Sequence, residues 1–378
     1  MIAANTAAII LSAGVSSRMG EFKPLLPLGN KTVIEQVVEI FLRAGVRDIR
    51  VVLGYRAGDV IAVLKNQAVS WIINDDYQSE MLGSVKVGAD CLKPDSEAFF
   101  ILPVDIPLIK SQTLQMLMGT SGKDSRQIVY PTFAGERGHP PLIPRQYADE
   151  LMPWAGNGGL KGFLEQYDHM SLDVPVFDEG ILMDMDTPDQ YRQIVARYDN
   201  RQIPSKAECM AMMATRFSDD HPVLKHSRVV AKVARVVGKK LVHAGCKMDI
   251  SLVEACGYLH DIGKCEKKHA KFGARLLKNW GYLNIADIIA FHIDLSFAEE
   301  GKITEKEVIY LADKLTHGEN ILSLDERLEV KLKQLSGHPE GKIAAEKRIQ
   351  TAMKIEKAIE RITGEKIASW VNTLPGSK

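Results

Sequence analysis

The amino-acid sequence predicts two domains of different fold class, a three-layer α/β domain with a mostly parallel sheet and then an all-α domain. Up to about Tyr198, short apolar runs alternate with amphipathic helical segments, which is the pattern of a parallel sheet covered by helices. From Lys206 onward nearly every segment has helical periodicity. A polar stretch with a proline, residues 198–205, separates the two patterns. We therefore expect the first domain over residues 1–200 and the second over residues 201–378.

Each predicted element is an apolar run or an amphipathic segment of suitable length. The predicted strands are residues 7–11, 49–53, 70–74, 98–102 and 128–131. The predicted helices of the first domain are residues 33–44, 57–64, 82–91 and 111–118. Those of the second domain are residues 222–244, 251–260, 270–280, 305–315 and 342–362. In a parallel sheet ligands bind beyond the carboxyl ends of the strands, so the loop after Leu11 is the first candidate site.

Composition excludes several classes of protein. A hydrophobic content of 46% and a charged content of 25% over 378 residues are those of an ordinary soluble globular protein. Lys plus Arg and Asp plus Glu are each 48, so no charge excess indicates a nucleic-acid partner. No apolar run has the length of a membrane span, and we expect a cytoplasmic protein. The five cysteines are scattered without a CxxC pair, which argues against a disulfide framework or a zinc site.

The loop that follows the first strand is rich in small residues and cations. Residues 12–17 read Ser-Ala-Gly-Val-Ser-Ser, and Arg18 and Lys23 follow. Backbone N–H groups in such a turn cradle phosphate oxygens, while Arg forks two oxygens and Lys supplies a point charge. The pattern favours a nucleoside-triphosphate site. The alternative is a strand–turn–helix corner that carries two surface cations.

Two further segments deliver carboxylates suited to a hard cation. Asp105 follows the apolar run at residues 98–102, and Asp184 and Asp186 lie in the segment DMDTPDQY. Mg²⁺ takes oxygen ligands together with substrate phosphates, so these carboxylates are candidate ligands. The alternative is structural, because Asp beside Pro starts turns and Asp186 or Thr187 can cap a helix that begins at Pro188.

The stretch LSAGVSSRMGEFKPLLPLG resembles the signature L-A-[AG]-G-x-S-x-R-M-G-x-x-K of the MobA-like nucleotidyltransferases, and within them the molybdopterin cytidylyltransferases. The resemblance implies a Rossmann-like nucleotidyltransferase domain with Lys23 and Arg18 in catalysis. LPVDIPL and DMDTP are similar to the family's metal segments, which implies Mg²⁺ bound by Asp105, Asp184 and Asp186. The implied nucleotide-binding residues are Leu11, Ser12, Ala13, Gly14, Ser17, Arg18, Lys23, Gly83 and Ser84.

Three more segments are similar to this family near its base and acceptor pockets. YQSEMLGSV resembles G-M-x-x-S-[LIV], with Glu80 in place of Gly, and GERGHPP resembles the R-G-H-P segment. GNGGLKG resembles G-D-x-G-[AL]-[RK], with Asn157 in place of Asp. The resemblance implies that Gly138, His139 and Asn157 contact the acceptor. The two departures leave the base and the acceptor open.

The activity implied by this resemblance is nucleotidyl transfer with release of pyrophosphate. CTP is expected in preference to GTP, and the acceptor is a phosphorylated molecule such as molybdopterin. A sugar phosphate or an alcohol phosphate is the alternative acceptor. A molybdoenzyme or a chaperone is a further candidate partner, whereas neither nucleic acid nor membrane is expected.

The second domain carries a sparse set of histidines and aspartates. His226, the adjacent pair His260-Asp261, and Asp313 each lie in or beside a predicted helix. His and Asp together suit Mn²⁺, Fe²⁺, Mg²⁺ or Zn²⁺. The alternative is a set of satisfied polar residues in a helical bundle. The order H…HD…D resembles that of the HD-domain metal-dependent phosphohydrolases, which implies an all-α HD domain with these four residues as metal ligands.

Two histidines between the HD pair and Asp313 extend this resemblance. His269 and His292 occupy the interval in which HD subfamilies with two metals place additional histidines. The resemblance implies a site for Mn²⁺ or Fe²⁺ with two ions, with Lys264 beside it to hold a phosphate. The expected activity is phosphoester hydrolysis. The alternative is a nucleotide-binding regulatory module without turnover.

Overall fold

A computed structural model describes residues 5–78, 80–120, 126–298 and 301–374. The chain divides into two compact units, with the boundary between Arg201 and Gln202. We call them the first unit and the second unit. No helix of the described residues is both long and apolar enough to cross a membrane.

The first unit is built on one mixed sheet in the order β10-β7-β9-β6-β1-β4-β5, with β8 paired to β7. Its strands are β1 (Thr6–Ser12), β2 (Pro27–Leu28), β3 (Lys31–Thr32), β4 (Asp48–Leu53), β5 (Ser70–Ile73), β6 (Ala98–Pro103), β7 (Ile128–Phe133), β8 (Glu136–Arg137), β9 (Leu142–Pro144) and β10 (Ser171–Pro175). β6, β1, β4 and β5 are parallel neighbours, and so are β7 and β10. The predicted α/β class with a mostly parallel sheet is therefore confirmed.

Helices cover both faces of this sheet. They are α1 (Val33–Ala44), α2 (Ala57–Leu64), α3 (Met81–Asp90), α4 (Ser111–Thr120), α5 (Gln146–Leu151), α6 (Gly159–Glu165) and α7 (Pro188–Asp199). β1 is buried along its whole length, as expected for a central strand covered on both faces. Ile9 and Ile101 pack with Val85 of α3 in one core cluster. Phe100 faces the other way and packs on Phe41 of α1, with ring centroids 5.8 Å apart. Alternate residues of the strands thus fill two cores, which makes three layers.

The sequence did not predict β9 and β10. β9 is only three residues long and runs antiparallel between β6 and β7. A run of that length carries no periodicity that distinguishes it from a loop. The five predicted strands and four predicted helices of this unit are present, with ends that differ by at most two residues.

The second unit is helical, which confirms the predicted all-α domain. Its elements are α8 (Lys206–Ala214), α9 (Pro222–His243), α10 (Ile250–Leu259), α11 (His269–Asn279), α12 (Leu283–Ile289), α13 (Glu305–Lys314), a hairpin of β11 (Thr316–His317) and β12 (Asn320–Ile321), α14 (Leu324–Gln334), α15 (Pro339–Thr363) and α16 (Ala368–Val371). α9 and α10 cross closely at Gly257, where an added Cβ would lie 2.5 Å from Cα of Ala231. This close crossing brings His226 and His260 together, with ring centroids 5.3 Å apart.

Candidate active sites

The first unit has a cleft of about 260 Å³ at the carboxyl ends of β1 and β6. Its lining includes seven of the predicted site residues, namely Leu11, Ser12, Ala13, Gly14, Lys23, Ser84 and Asp105. Ser16, Pro24, Tyr77, Met81, Pro103 and Val104 also line it, and sequence reasoning did not assign them. Ser17, Arg18 and Gly83 are not lining residues, and Ser79 lies outside the described residues.

The loop after β1 is held in place by hydrogen bonds to its own turn and to the end of β4. The Lys23 N–H donates to Oγ of Ser16 at 3.2 Å, and the Tyr55 N–H donates to the Ala13 carbonyl at 3.0 Å. A Cβ at Gly54 would lie 2.8 Å from that carbonyl, so only glycine allows this close approach. A Cβ at Gly14, in contrast, would meet no atom within 4 Å. Open space at Gly14 suits close approach of a ligand to the backbone.

Lys23 joins the loop to both carboxylate segments. Its Nζ donates to Oδ2 of Asp105 at 2.9 Å and to Oδ1 of Asp186 at 2.6 Å. The Met185 N–H donates to the Asp105 carbonyl at 3.1 Å, which fixes the second segment against the first. Arg18 is largely exposed and reaches Oδ2 of Asp186 at 2.6 Å. The structure therefore brings together the signature loop and the two predicted metal segments, although these lie far apart in the chain.

The charges of this cluster shift the pKa values of its members in opposite directions. Burial alone would lower the pKa of Lys23, but hydrogen bonds to Asp186 and Asp105 raise it above its ordinary value of 10.5. The hydrogen bond from Lys23 lowers the pKa of Asp186 below its ordinary value of 3.8. At neutral pH the Lys23 ammonium is therefore ion-paired with the Asp186 carboxylate, and it also donates to Asp105. Mg²⁺ is usually bound through one or two carboxylates together with substrate phosphates, and Asp105 and Asp186 offer such a pair.

We expect the stabilising effect of Lys23 to be independent of pH across the neutral range and to fall at both ends. Because the pKa of Lys23 is raised on folding, its contribution is complete below 10.5 and is lost as pH rises through the folded value. Because the pKa of Asp186 is lowered, its contribution is complete above 3.8 and is lost as pH falls through the folded value. Urea unfolding at a series of pH values would compare wild type with Lys23→Met. The difference in unfolding free energy should be constant from about pH 5 to about pH 9.

The exposed Lys65 offers a matched control for this experiment, because Lys65→Met removes an ammonium that lies on the surface of the same unit. Its effect should be near zero at every pH. A Lys23→Met difference that changes steadily through neutral pH would contradict the ion-pair arrangement.

Asp184 and the predicted acceptor residues lie around this cluster in different ways. Oδ1 of Asp184 accepts a hydrogen bond from Nε2 of Gln190 at 2.7 Å, so Asp186 rather than Asp184 faces Lys23. Burial lowers the pKa of His139, against the charges of Asp105 and Asp184 nearby. Its Nδ1 is buried and has no hydrogen-bond partner among the described residues. His139 therefore offers a neutral imidazole beside the carboxylates.

For Gly138 and Asn157, the structure gives a weaker connection to the cleft than it does for His139. A Cβ at Gly138 would lie 2.6 Å from the Ile181 carbonyl, so packing alone requires this glycine. Asn157 is exposed before α6 and is not among the residues that line the cleft. A contact of either residue with an acceptor stays a prediction.

The second unit gathers the six predicted ligands into one cluster, which we call the His–Asp cluster. Its members are His226, His260, Asp261, His269, His292 and Asp313. The ligand atoms of His226, His260 and Asp261 lie within 4.8 Å of one another, and so do those of Asp261, His269 and His292. Asp313 completes the first set, with its Oδ1 3.1 Å from Nε2 of His226 and 3.6 Å from Nε2 of His260. Asp261 belongs to both sets, which is the position of a carboxylate that bridges two ions.

Backbone carbonyls orient three of these imidazoles. Nδ1 of His260 lies 2.8 Å from the Gly257 carbonyl, and Nδ1 of His292 lies 2.7 Å from the Ile289 carbonyl. Nδ1 of His226 lies 3.3 Å from the Gly318 carbonyl. A carbonyl only accepts, so each Nδ1 carries a proton and each Nε2 is directed at the cluster. Imidazoles held in this way are typical of metal ligands.

The centre of the cluster contains buried polar atoms that the described residues leave unsatisfied. Nε2 of His260 and Oδ1 of Asp261 are buried and have no aligned hydrogen-bond partner. Burial alone would raise the pKa of Asp261, but His260, His269 and His292 hold it well below its usual range. Unsatisfied buried lone pairs are costly unless a cation binds them. The residues present therefore fit a divalent metal site.

Two lysines lie beside the His–Asp cluster. Nζ of Lys264 donates to Oδ2 of Asp261 at 2.9 Å, as expected for a residue at the site. Nζ of Lys314 donates to Oδ2 of Asp313 at 2.7 Å and to the His292 carbonyl at 2.9 Å. Sequence reasoning missed Lys314, because a lysine next to an aspartate on a helix has the pattern of a solvated pair.

Gly263 determines the path of the chain from the HD pair to His269. A Cβ at this position would lie 2.2 Å from the His269 carbonyl and 2.7 Å from the Gly273 nitrogen, both of them backbone atoms. We expect Gly263→Ala to displace the start of α11 and to lower the unfolding free energy by about 2–4 kcal/mol. Metal content should fall with it, because His269 moves. Gly341→Ala, which meets only flexible side-chain atoms at 3.3 Å or more, should change neither quantity.

Comparison with known proteins finds a matching protein family for each unit. Residues 8–170 match the MobA-like NTP transferase domain, and residues 223–318 match the HD domain. The molybdenum cofactor cytidylyltransferase of Escherichia coli strain K12 is 27% identical over 191 residues, which cover 50% of this chain and 95% of that protein.

Two solved structures resemble the first half of the chain. A nucleotidyl transferase from Methanothermobacter thermautotroptrophicus (Mth528) is 24% identical with a TM-score of 0.47, covering 52% of this chain and 98% of that one. Rv0371c from Mycobacterium tuberculosis H37Rv is 23% identical with a TM-score of 0.46, covering 51% and 98%. The family matches supply the assignment: this chain carries a MobA-like NTP transferase domain over residues 8–170 and an HD domain over residues 223–318.

Proposed function

We propose that the first unit transfers a cytidylyl group from CTP to a phosphorylated acceptor, with molybdopterin or its molybdate-loaded form as the acceptor. The observation that carries this proposal is the position of Lys23 between Asp105 and Asp186 at the cleft. The match over 95% of the length of a molybdenum cofactor cytidylyltransferase supports the choice of base and acceptor.

In this reaction an oxygen of the acceptor phosphate attacks the α-phosphorus, and the bond from that phosphorus to the bridging oxygen of the β-phosphate breaks. Pyrophosphate leaves, and the nucleotide is joined to the acceptor through a new anhydride. Such transfer needs positioning and neutralisation of charge rather than a covalent nucleophile. The loop of residues 12–17 would hold the pyrophosphate through backbone N–H groups, with Arg18 at its exposed edge.

Asp105 and Asp186 would hold Mg²⁺, with Asp184 beside them. When bound, Mg²⁺ supplies positive charge to the phosphate oxygens at the bond that breaks. The Lys23 ammonium, which lies at the cleft beside these carboxylates, would donate to an oxygen of the α-phosphate and stabilise charge that develops there. His139, a neutral imidazole near the same carboxylates, would contact the acceptor.

The test is pyrophosphate release in the presence of Mg²⁺ from CTP and GTP separately, with and without molybdopterin. Release that requires CTP, molybdopterin and Asp105 together is the expected result, with Asp105→Ala as the inactive control. Release from GTP in preference to CTP would contradict the choice of base. Release that occurs only with a sugar phosphate or an alcohol phosphate would favour the alternative acceptor.

We also propose that the second unit is a metal-dependent phosphohydrolase that uses two divalent ions such as Mn²⁺ or Fe²⁺. The observation that favours this is the central position of Asp261 between two sets of ligands. When bound, the ions supply an activated water and a positive field at the phosphorus. Lys264 would hold a phosphate oxygen beside Asp261.

The substrate of this second activity is expected to be related to the product of the first, because the two units are joined in one chain. The full chain carrying Asp105→Ala would be incubated with Mn²⁺ and the cytidylylated product, CTP and p-nitrophenyl phosphate. Hydrolysis that Asp261→Asn removes would support the proposal. Metal binding without hydrolysis of any of these would favour a regulatory module.

A further inference from the structure

Arg327 on α14 is a half-buried cation whose recorded partner is a histidine rather than a carboxylate. Its Nη1 lies 2.8 Å from Nδ1 of His317. Its Nε is buried and has no hydrogen-bond partner in the part of the chain that the structure describes. Buried guanidinium groups are ordinarily paired with an anion, since an unpaired buried charge is costly. No carboxylate forms an ion pair with this guanidinium among the described residues, so its positive charge would be stabilised by an anion nearby.

Lys331 lies one helical turn beyond Arg327 on the same face of α14. Lys331 is also partly buried, and no ion pair is recorded for it among the described residues. Burial, followed by the charges of Arg327 and Lys264, lowers the pKa of Lys331. The negative charge of Asp313 acts on both Arg327 and Lys331 and opposes the lowering of their pKa values. Asp313 is already in contact with Lys314 and His226, so this face of α14 carries an excess of positive charge.

We call Arg327 and Lys331 the basic pair. A short chain of contacts joins the basic pair to the His–Asp cluster. His317, the partner of Arg327, belongs to β11, and the carbonyl of the next residue, Gly318, lies 3.3 Å from Nδ1 of His226. Lys264, whose charge reaches Lys331, lies 2.9 Å from Asp261. These links place Arg327 and Lys331 near the His–Asp cluster. An anion at Arg327 would lie beside a phosphate at the cluster rather than in its place.

We propose that Arg327 and Lys331 bind a second phosphate of the HD-domain substrate, so that the substrate class is a molecule with two or more linked phosphates. This inference rests on the proposed phosphohydrolase function, with the attacked phosphate at the His–Asp cluster beside Lys264. A guanidinium can bind two oxygens of one phosphate, and an ammonium one turn away adds a point charge. A monophosphate would reach the cluster without using either side chain.

The experiment compares pyrophosphate with inorganic phosphate as ligands of the full chain. Calorimetric titrations would use one buffer with a fixed excess of Mn²⁺, so that chelation by the ligand is identical in every comparison. All proteins would carry Lys23→Ala, which weakens pyrophosphate binding at the first unit. The variants are Arg327→Gln and Lys331→Gln, and Lys333→Gln on the exposed face of the same helix is the matched control.

We expect Arg327→Gln to weaken pyrophosphate binding about tenfold or more, and Lys331→Gln several-fold, as for charge-assisted hydrogen bonds. Phosphate binding should change less than about twofold, and Lys333→Gln should change neither affinity. Unchanged Mn²⁺ content would show that the variants keep the cluster intact. If Arg327→Gln disturbs the fold through His317, then Lys331→Gln, which lacks that contact, decides the outcome.

Three results would overturn the inference. The first is a parent Lys23→Ala protein that binds no pyrophosphate at the second unit. The second is that the Arg327→Gln and Lys331→Gln variants bind pyrophosphate as well as this parent. The third is that these variants lose phosphate and pyrophosphate affinity equally. Because these are binding measurements, they are separate from the test of hydrolysis. Loss of pyrophosphate affinity in a protein without turnover would keep the subsite and reject the hydrolase function.

Discussion

Asp261→Asn is expected to reduce the metal content of the second unit from the proposed two ions to less than one and to abolish the proposed phosphohydrolase activity. Asp261 is the one residue common to both sets of ligand atoms, and its Oδ1 is buried without an aligned partner. An amide presents one neutral oxygen and cannot neutralise two cations, so both ions lose their shared anionic ligand. Hydrolysis should fall by about 10³-fold or more, since the ions, when bound, would supply the activated water. Metal content would be measured by mass spectrometry after equilibration with Mn²⁺.

Single-residue variants in one ligand set, outside the shared Asp261, distinguish the two proposed ions. His269→Ala removes a ligand from one set only, and we expect about one ion to remain bound. His243→Ala, at an exposed histidine near the end of α9, is the control and should leave two ions in place. An Asp261→Asn protein that is folded and still binds two ions would contradict the bridging role.

Asp186→Asn and Asp105→Ala are each expected to reduce pyrophosphate release in the first unit by about 10³-fold. Both side chains lie within hydrogen-bond distance of Lys23, so each contributes an anionic oxygen to the same small volume. Loss of either leaves the proposed Mg²⁺ with one fewer charged ligand and leaves Lys23 ion-paired to the other carboxylate. Initial rates with saturating CTP and acceptor would report the effect on kcat.

The control for this prediction lies in the same segment of sequence. Asp189 is three residues beyond Asp186, but it is exposed and pairs with Arg192 in the first turn of α7. Asp189→Asn should retain full activity. Asp184→Asn is expected to have a smaller effect than Asp186→Asn, because its carboxylate is held by Gln190. Equal loss in Asp184→Asn and Asp186→Asn would mean that both aspartates bind the ion directly.

Local sequence determined the elements that carry the first site. The run at residues 7–11 is apolar on both faces, and this property is enough to predict a buried central strand. Small residues after it predicted the loop, and the cleft indeed has Ser12, Ala13 and Gly14 in its lining. The structural alternative for the segment DMDTPDQY, a helix cap with Pro188 at the first position, is also present, because the Thr187 side chain accepts from the Gln190 N–H at the start of α7. Such signals are local because strand burial, turn formation and helix capping depend on neighbours a few residues away.

The partners of the charged residues were decided only by the tertiary structure. Lys23 meets Asp105 and Asp186 across 82 and 163 residues of sequence, and no local pattern distinguishes Asp186 from Asp184. The basic pair on α14 gave no signal in the sequence, because Arg327 and Lys331 at helical spacing look like a solvated face.

The sequence by itself thus determined five strands of the sheet and the five helical segments predicted for the second unit, but not β9, β10 or α14. The tertiary structure decided which carboxylate faces Lys23, that Asp261 stands between two ligand sets, and that Arg327 lies beside them. The physical reason is that burial and charge depend on what the fold places across a cleft, and those distances are absent from the linear pattern.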